Sequence, residues 1–131
     1  MKFLILVLIL FSTTSLAFAD TGYVSAQISS DVHTLTVGNQ IMITADISNN
    51  QNTPQSFAYL TQVKDEHQAV ISLSWLTGSL SPSQSFSPAQ SWTPTESGLY
   101  VIEIFVWESI DNPEALSPPL SMTVTVVDPN T

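Results

Sequence analysis

The chain has 131 residues, no cysteine, and eleven Asp and Glu against two Lys and Arg, which gives a net charge of −9. Binding to nucleic acid or to an anionic membrane surface depends on Lys and Arg that neutralise phosphate, so this balance excludes both classes of partner. Without cysteine, the folded chain must be stabilised by apolar packing and by backbone hydrogen bonds between strands.

The first nineteen residues have the pattern of a secretory signal peptide. Lys2 precedes an unbroken apolar run from Phe3 to Phe11, and Ala17-Phe18-Ala19 has the small residues of a cleavage site. The apolar run is shorter than the roughly 20 residues that cross a bilayer, so cleavage after Ala19 is favoured over retention as an anchor. We expect a signal helix at 1–19, one domain at 20–131, and a product that is secreted or held at the cell surface.

From Tyr23 onward, alternation of apolar and polar residues predicts strands and no segment has helical periodicity. The cleanest case is Ile41 to Ser48, where every second residue is apolar. Strands of this number and length in about 110 residues favour an all-β, antiparallel sandwich of two sheets with about seven strands. The predicted strands are Tyr23–Ser29, Leu35–Val37, Ile41–Ser48, Ser56–Lys64, Ala69–Leu76, a short one within Gln84–Trp92, Gly98–Trp107 and Leu120–Val126.

Two segments interrupt this alternation. Asp65 to Gln68 reads as the turn of a hairpin between the fourth and fifth strands. The stretch from Thr77 to Pro94 is rich in serine and proline, and proline cannot donate to a central ladder, so we expect irregular or edge structure there. Glu108 to Pro119 is a loop.

The segment Glu96-Ser97-Gly98-Leu99-Tyr100-Val101-Ile102 resembles the acidic-x-Gly-x-Tyr-x-Cys corner of the immunoglobulin superfamily, with Ile102 in the place of the cysteine. The wider pattern, including VGNQIMITADISN, QVKD, W-T-P-x-x-x-G-x-Y and MTVTVV, is similar to cysteine-free Ig-like domains of the CARDB type in prokaryotic surface proteins. It is also similar to small exported Ig-like proteins of ammonia-oxidising archaea. The resemblance implies an immunoglobulin-like sandwich in which the Tyr100 hydroxyl holds upstream backbone, and a binding or structural module without catalytic residues.

No arrangement of residues in the sequence predicts catalysis or a cofactor. The chain has no G-x-S-x-G motif, and His33 and His67 lie far apart in sequence, so we do not expect an enzyme. The same histidines have no spacing that would hold copper or zinc. Glu108, Asp111 and Glu114 recur at intervals of three and could gather around Ca²⁺; the competing interpretation is a solvated acidic loop.

The strand Gly98–Trp107 carries the main functional prediction. If Tyr100 and Ile102 face inward, then Leu99, Val101, Glu103, Phe105 and Trp107 face outward, which is a large apolar row for a sheet surface. We interpret Val101, Phe105 and Trp107 as a binding site for a cell-envelope or surface protein, with a second copy of the chain among the candidates. The competing interpretation is cover by Thr77–Pro94 or by the N-terminal segment.

The remaining aromatic residues are interpreted as core. Trp75, in line with Ile71 and Leu73, and Trp92, beside the corner, are expected to be buried. The first function that the sequence favours is therefore a secreted, non-enzymatic Ig-like module that mediates protein or cell-envelope interaction. The alternative is an extracellular domain that binds a small ligand, with the tryptophans stacking on carbohydrate or the acidic loop holding Ca²⁺.

Overall fold

A computed structural model describes residues 24–129, so the predicted signal peptide at 1–19 lies outside the described residues. Within this range the secondary structure consists of strands, and no helix is long and apolar enough to cross a membrane. The strands are β1 (Val24–Ile28), β2 (Thr34–Thr36), β3 (Ile41–Asn49), β4 (Gln55–Lys64), β5 (Val70–Leu80), β6 (Ser85–Phe86), β7 (Ala89–Trp92), β8 (Gly98–Trp107) and β9 (Leu120–Val127).

The strands form two sheets that enclose one core. The first sheet has β3 between β1 on one side and the short strands β6 and β7 on the other. The second sheet has five strands in the order β2-β9-β8-β4-β5. The two-layer sandwich is confirmed, with two corrections: residues 24–129 form nine strands rather than about seven, and β2 pairs with β9 in parallel.

One additional strand comes from the segment predicted as one strand within Gln84–Trp92. It divides into β6 and β7, both of which pair with β3. Pro88 lies between them, and because proline has no N–H it interrupts the ladder there. The prediction of short, proline-limited edge structure is confirmed for this part of the chain.

The core is built from the apolar positions of the alternating strands. Ile43, Ala45 and Ile47 of β3 are fully buried, opposite the inner face of β8. On β8 the inward residues are Tyr100, Ile102, Ile104 and Val106, each no more than 6% exposed. The predicted facing of β8 is therefore confirmed, and Ile102 fills with packing the position that the resemblance assigned to a cysteine.

The corner before β8 has the predicted hydrogen bond. The Tyr100 hydroxyl donates to the backbone oxygen of Glu96 at 2.7 Å. Trp92 packs edge-on against the Tyr100 ring with centroids 5.2 Å apart, which confirms Trp92 as core. Gly98 has φ of +149°, a backbone conformation that favours glycine. Tyr100 thus connects the corner to the core.

The Asp65 side chain stabilises the turn of the hairpin between β4 and β5. One oxygen of its carboxylate, Oδ1, accepts the backbone N–H groups of His67 at 2.8 Å and Ala69 at 3.0 Å. These two bonds hold the pKa of Asp65 below its ordinary value. Gln68 has φ of +69°, as in three-residue hairpin loops that end on a left-handed residue.

The buried side-chain amide of Asn49 binds the backbone at the end of β5, where the chain passes to the other sheet. Asn49, at the end of β3, is 1% exposed, and its Nδ2 donates to the backbone oxygens of Thr53, Leu80 and Ser81 at 2.9 to 3.2 Å. Its Oδ1 accepts the backbone N–H of Gln51 at 3.1 Å. The amide thereby satisfies backbone acceptors from two segments of the chain.

Candidate interaction face

The outer face of the five-stranded sheet carries a group of large apolar side chains that we call the outer apolar patch: Leu60 of β4, Leu73 and Trp75 of β5, and Phe105 and Trp107 of β8. Strand register places them together. Leu60 lies directly opposite Trp75 on one side and Phe105 on the other. The Phe105 and Trp107 rings are tilted at 45° with centroids 6.0 Å apart. Three strands thus contribute to one continuous surface.

Burial within the patch is uneven. Leu60 is only 7% exposed although it points away from the core, because it lies between two aromatic neighbours. Phe105 and Trp107 are partly buried, whereas Trp75 is 55% exposed and Leu73 is 49% exposed. The patch therefore has an ordered centre and an open side toward the edge strand β5.

The exposure of Trp75 corrects a sequence prediction. Trp75 was expected in the core, in line with Ile71 and Leu73. Strand register decides the face. Trp75 pairs with Leu60, which points away from the core, whereas Leu76 pairs with Tyr59, which points into it. The inward positions are therefore Ser72, Ser74 and Leu76, and Ile71, Leu73 and Trp75 are each about half exposed.

A polar cluster of Gln62, Lys64 and Glu103 borders the patch beyond the Leu60–Phe105 pair. The Gln62 Nε2 donates to Glu103 Oε1 at 2.7 Å, and the Lys64 ammonium lies 3.3 Å from the same oxygen. Lys64 and Glu103 are each about one fifth exposed, so this ion pair is partly shielded from water. It neutralises the carboxylate nearest to the apolar surface. The sequence offered no signal for this cluster, because its members meet only through strand pairing.

The segment Thr77–Pro94, one of the two expected covers of this face, lies elsewhere. Its first four residues complete β5, and β6 and β7 pair with β3 in the opposite sheet. The N-terminal segment lies outside the described residues. The loop after β8 borders Trp107 through an isolated bridge to Ala115, and the N–H of Leu116 donates to the Val106 oxygen at 2.8 Å. Val101, Phe105 and Trp107 thus lie on a face that Thr77–Pro94 does not cover.

The proposed calcium ligands do not form a metal-binding group in the described range. Within residues 24–129, no three His, Cys, Asp or Glu side chains are placed to hold a metal ion together. Glu108 instead accepts a hydrogen bond from Asn112 Nδ2 at 2.6 Å, and its N–H donates to the Glu114 oxygen. The loop is closed by its own hydrogen bonds, and calcium binding by Glu108, Asp111 and Glu114 stays a prediction.

A cleft of about 310 Å³ opens beside the tyrosine corner. Trp92 and Tyr100 form its apolar wall and Asp65 and Glu96 its acidic rim. Burial, assisted by the charges of Glu96, Asp65 and Glu66, raises the pKa of the Tyr100 phenol, so this group stays protonated and keeps its bond to Glu96 at neutral pH. Both rings are more than nine-tenths buried, so the cleft offers little aromatic surface to a ligand.

Comparison with known proteins yields similarity in structure alone. No protein-family model matches the sequence, and no curated protein matches it. Among solved structures, the CARDB domain of a protein from Pyrococcus furiosus, solved in complex with di-metal ions, superposes with a TM-score of 0.63 at 17% identity. That alignment covers 85% of this chain and 95% of the archaeal domain. A solution structure of the same domain gives a TM-score of 0.62 at 20% identity.

Larger enzymes contain a similar unit. A β-glucosidase from Listeria innocua, in complex with glucose, aligns with a TM-score of 0.61 at 15% identity over 79% of this chain. The chain spans only 16% of the length of that enzyme. At these identities the comparisons establish the fold, a two-sheet sandwich like that of the CARDB domain, and they do not extend to activity.

Proposed function

We propose that this protein is a secreted or surface-held, non-enzymatic Ig-like module that binds another protein of the cell envelope through the outer apolar patch. The observation that carries the proposal is the patch itself: five large apolar side chains on three neighbouring strands, facing away from the core. Isolated exposed apolar residues are ordinary, but a contiguous group marks a contact site.

Composition and charge fit this function. Contact sites concentrate binding energy in aromatic residues, and the patch has Trp75, Phe105 and Trp107 at its centre and open side. The neighbouring ion pair of Lys64 with Glu103 supplies a polar rim. The similarity to CARDB-type domains, which fits a cell-surface module, supports the same proposal.

The direct test replaces two central residues of the patch, Phe105→Ser together with Trp107→Ser. Both residues are partly buried, so we expect the pair to cost about 1–2 kcal/mol, well below the roughly 3–5 kcal/mol for each aromatic removed from a core. The variant should stay folded and lose attachment to isolated cell envelopes. The matched control is Leu99→Ser on the same face at the far end of β8, which should retain attachment.

Two results would contradict the proposal. Loss of a cooperative thermal transition would mean that these rings act as core. Unchanged attachment by a folded double variant would mean that binding uses another surface, with the loop from Glu108 to Pro119 as the next region to test.

A second candidate function is carbohydrate binding, which the 55% exposure of Trp75 favours. An open indole can stack on a sugar ring, and Gln62, Lys64 and Glu103 offer hydrogen-bonding groups nearby. A ligand that binds the folded state raises the melting temperature by mass action. We expect soluble polysaccharides to do so for the natural protein and not for Trp75→Ala. No shift with any polysaccharide would remove this candidate, and a parallel melt with Ca²⁺ tests the acidic loop.

Secretion itself is part of the proposal. Cleavage between Ala19 and Asp20 predicts a protein whose intact mass lacks the first nineteen residues. A mass that retains them would favour an anchored form.

A further inference from the structure

We propose that β5 pairs antiparallel with β5 of a second copy, so that two five-stranded sheets join edge to edge into one continuous sheet. This inference goes beyond the proposed function, because it concerns the isolated protein and requires no envelope component.

The edges of the two sheets differ in how well they are protected within the described residues. The edge strands β2, β6 and β7 have three, two and four residues, and β7 lies between Pro88 and Pro94. β1 has five residues. β5 has eleven residues and forms an edge of the five-stranded sheet along its whole length. Short strands and prolines are the usual devices that prevent edge pairing, and β5 has neither.

The sequence of β5, VISLSWLTGSL, contains no charged residue and no proline. Its one irregularity is the bulge near Val70, and Ser72 to Leu80 then pairs in unbroken register with β4. In an edge strand every second residue directs both its backbone N–H and its C=O away from the sheet. Ser72 to Leu80 therefore presents a regular, unblocked row of hydrogen-bonding groups.

Apolar surface flanks this edge on both faces. On the outer face Leu73 and Trp75 are each about half exposed. On the inner side, a cavity of about 180 Å³ opens beneath the second half of β5, lined by apolar residues that include Leu76, Leu80 and Phe86. A strand added to β5 would cover Leu73 and Trp75 with its outward side chains and close the cavity with its inward ones.

The lack of charge on β5 allows a second copy to be the occupant. With a net charge of −9, two copies repel over most approaches, but two β5 strands bring no carboxylate of their own into contact. The nearby Glu103 is paired with Lys64. The other edge strands also lack charged residues, but they have only two to five residues, so β5 is the longest uncharged edge at which this acidic protein can meet itself.

Symmetry makes the pairing self-complementary. An antiparallel pair related by a two-fold axis keeps each residue on the same face in both copies, so opposed residue numbers must add to an even total. Leu73 then faces another outward residue of the other copy, such as Leu73 or Trp75, and never an inward residue such as Ser74. Because each copy uses its one open β5 edge, the assembly closes as a dimer.

The first experiment is sedimentation of the purified secreted protein over a concentration series. A contact between two strand edges buries less surface than most specific interfaces. We therefore expect a dimer with a Kd of about 10–100 µM. Leu73→Lys should raise that Kd at least about tenfold, because it places two ammonium groups near the two-fold axis. Leu99→Lys is the matched control: the same change on the same face at 47% exposure, away from this edge. It should leave the Kd unchanged.

The second experiment uses the absence of cysteine. Single cysteines introduced in turn from Ser72 to Thr77 can form a disulfide only between copies. Opposed residues in an antiparallel pair have the spacing that a disulfide requires, so the yield should peak at one position and fall on both sides. A cysteine at Leu99 should give no cross-link above background.

A single peak within β5, with loss of dimer in Leu73→Lys alone, would establish the pairing and its register. A protein that stays monomeric at millimolar concentration would overturn the proposal. A dimer that both lysine variants weaken equally, or that cross-links without a peak, would also overturn it, because either result indicates packing of faces. Monomeric protein that still attaches to envelopes would leave the proposed function standing.

Discussion

The hydroxyls of two buried tyrosines provide a comparison that tests the corner directly. The Tyr100 hydroxyl donates to the Glu96 oxygen at 2.7 Å, whereas the Tyr59 hydroxyl is buried with no hydrogen-bond partner of normal geometry in the described part of the protein. Burial raises the pKa of the Tyr59 phenol, against a smaller opposite effect of the Thr61 hydroxyl, which lies nearby and is also unbonded. Both rings are buried, and the two hydroxyls differ: that of Tyr100 is bonded and partly buried, whereas that of Tyr59 is fully buried and unbonded.

Tyr100→Phe removes the bonded hydroxyl and keeps the ring that contacts Trp92. A neutral hydrogen bond contributes about 1 kcal/mol net, and the Glu96 oxygen lies where water can reach it after the change, so we expect a loss of about 1–1.5 kcal/mol. In a domain of this size that corresponds to a fall of roughly 4–6 °C in melting temperature. Tyr59→Phe removes a buried hydroxyl that makes no bond, so we expect a change within about 0.5 kcal/mol or a gain.

Denaturant melts of the two variants beside the natural protein measure both values. The ratio of the two effects is more informative than either alone, because both changes delete the same atom. Equal losses, or a larger loss for Tyr59→Phe, would refute the assignment of the Glu96 bond as the stabilising contact of the corner.

Three further predictions concern the same region. Ile102→Ala should cost about 2–5 kcal/mol in denaturant melts, because Ile102 is fully buried and its removal leaves a cavity; a cost below about 1 kcal/mol would contradict the packing. Gly98→Ala should lower the melting temperature for two reasons: strain at φ of +149°, and a contact of the new Cβ with Glu66 at 3.3 Å. Gly38→Ala has nothing near its new Cβ, so it tests the backbone strain alone. The lowered pKa of Asp65 means that its charged form stabilises the fold above about pH 4, and that this contribution is lost as pH falls through the lowered pKa. Asp65→Asn should therefore weaken the dependence of stability on pH in the acid range, and an unchanged dependence would show that the turn does not use the charge.

The strands with one wet and one buried face were predictable from sequence. In β3 the alternation of apolar and polar residues fixes both the strand and its facing. In β8 both faces are largely apolar, and the inward Tyr100 of the corner fixes the facing. The corner was predictable because Gly98 and Tyr100 have a spacing that the turn itself requires. These features depend on residues close together in the chain.

The features that the sequence did not predict depend on pairing between distant strands. Trp75 lies on the outer face because β5 pairs with β4 in a register that aligns it with Leu60, and nothing in the local alternation marks that register. Gln62 and Lys64 meet Glu103 only because β4 lies beside β8. The edge position of β5 is likewise a property of strand order. Apolar residues at alternate positions identify a shared face, but strand order decides whether that face is packed or open.

The parallel pairing of β2 with β9 has a mechanical consequence. The Val37 N–H donates to the Val127 oxygen, and the Thr125 N–H donates to the His33 oxygen. If the described segment is pulled from its two ends, tension first separates β1 from β3 and then acts on β2 and β9 in opposite directions along their length. The hydrogen bonds between them are then sheared together rather than opened one after another. A cysteine-free module held between two attachment points would thus resist extension through the short β2, and single-molecule stretching should give a lower peak force when proline replaces Val37, whose N–H donates to the Val127 oxygen.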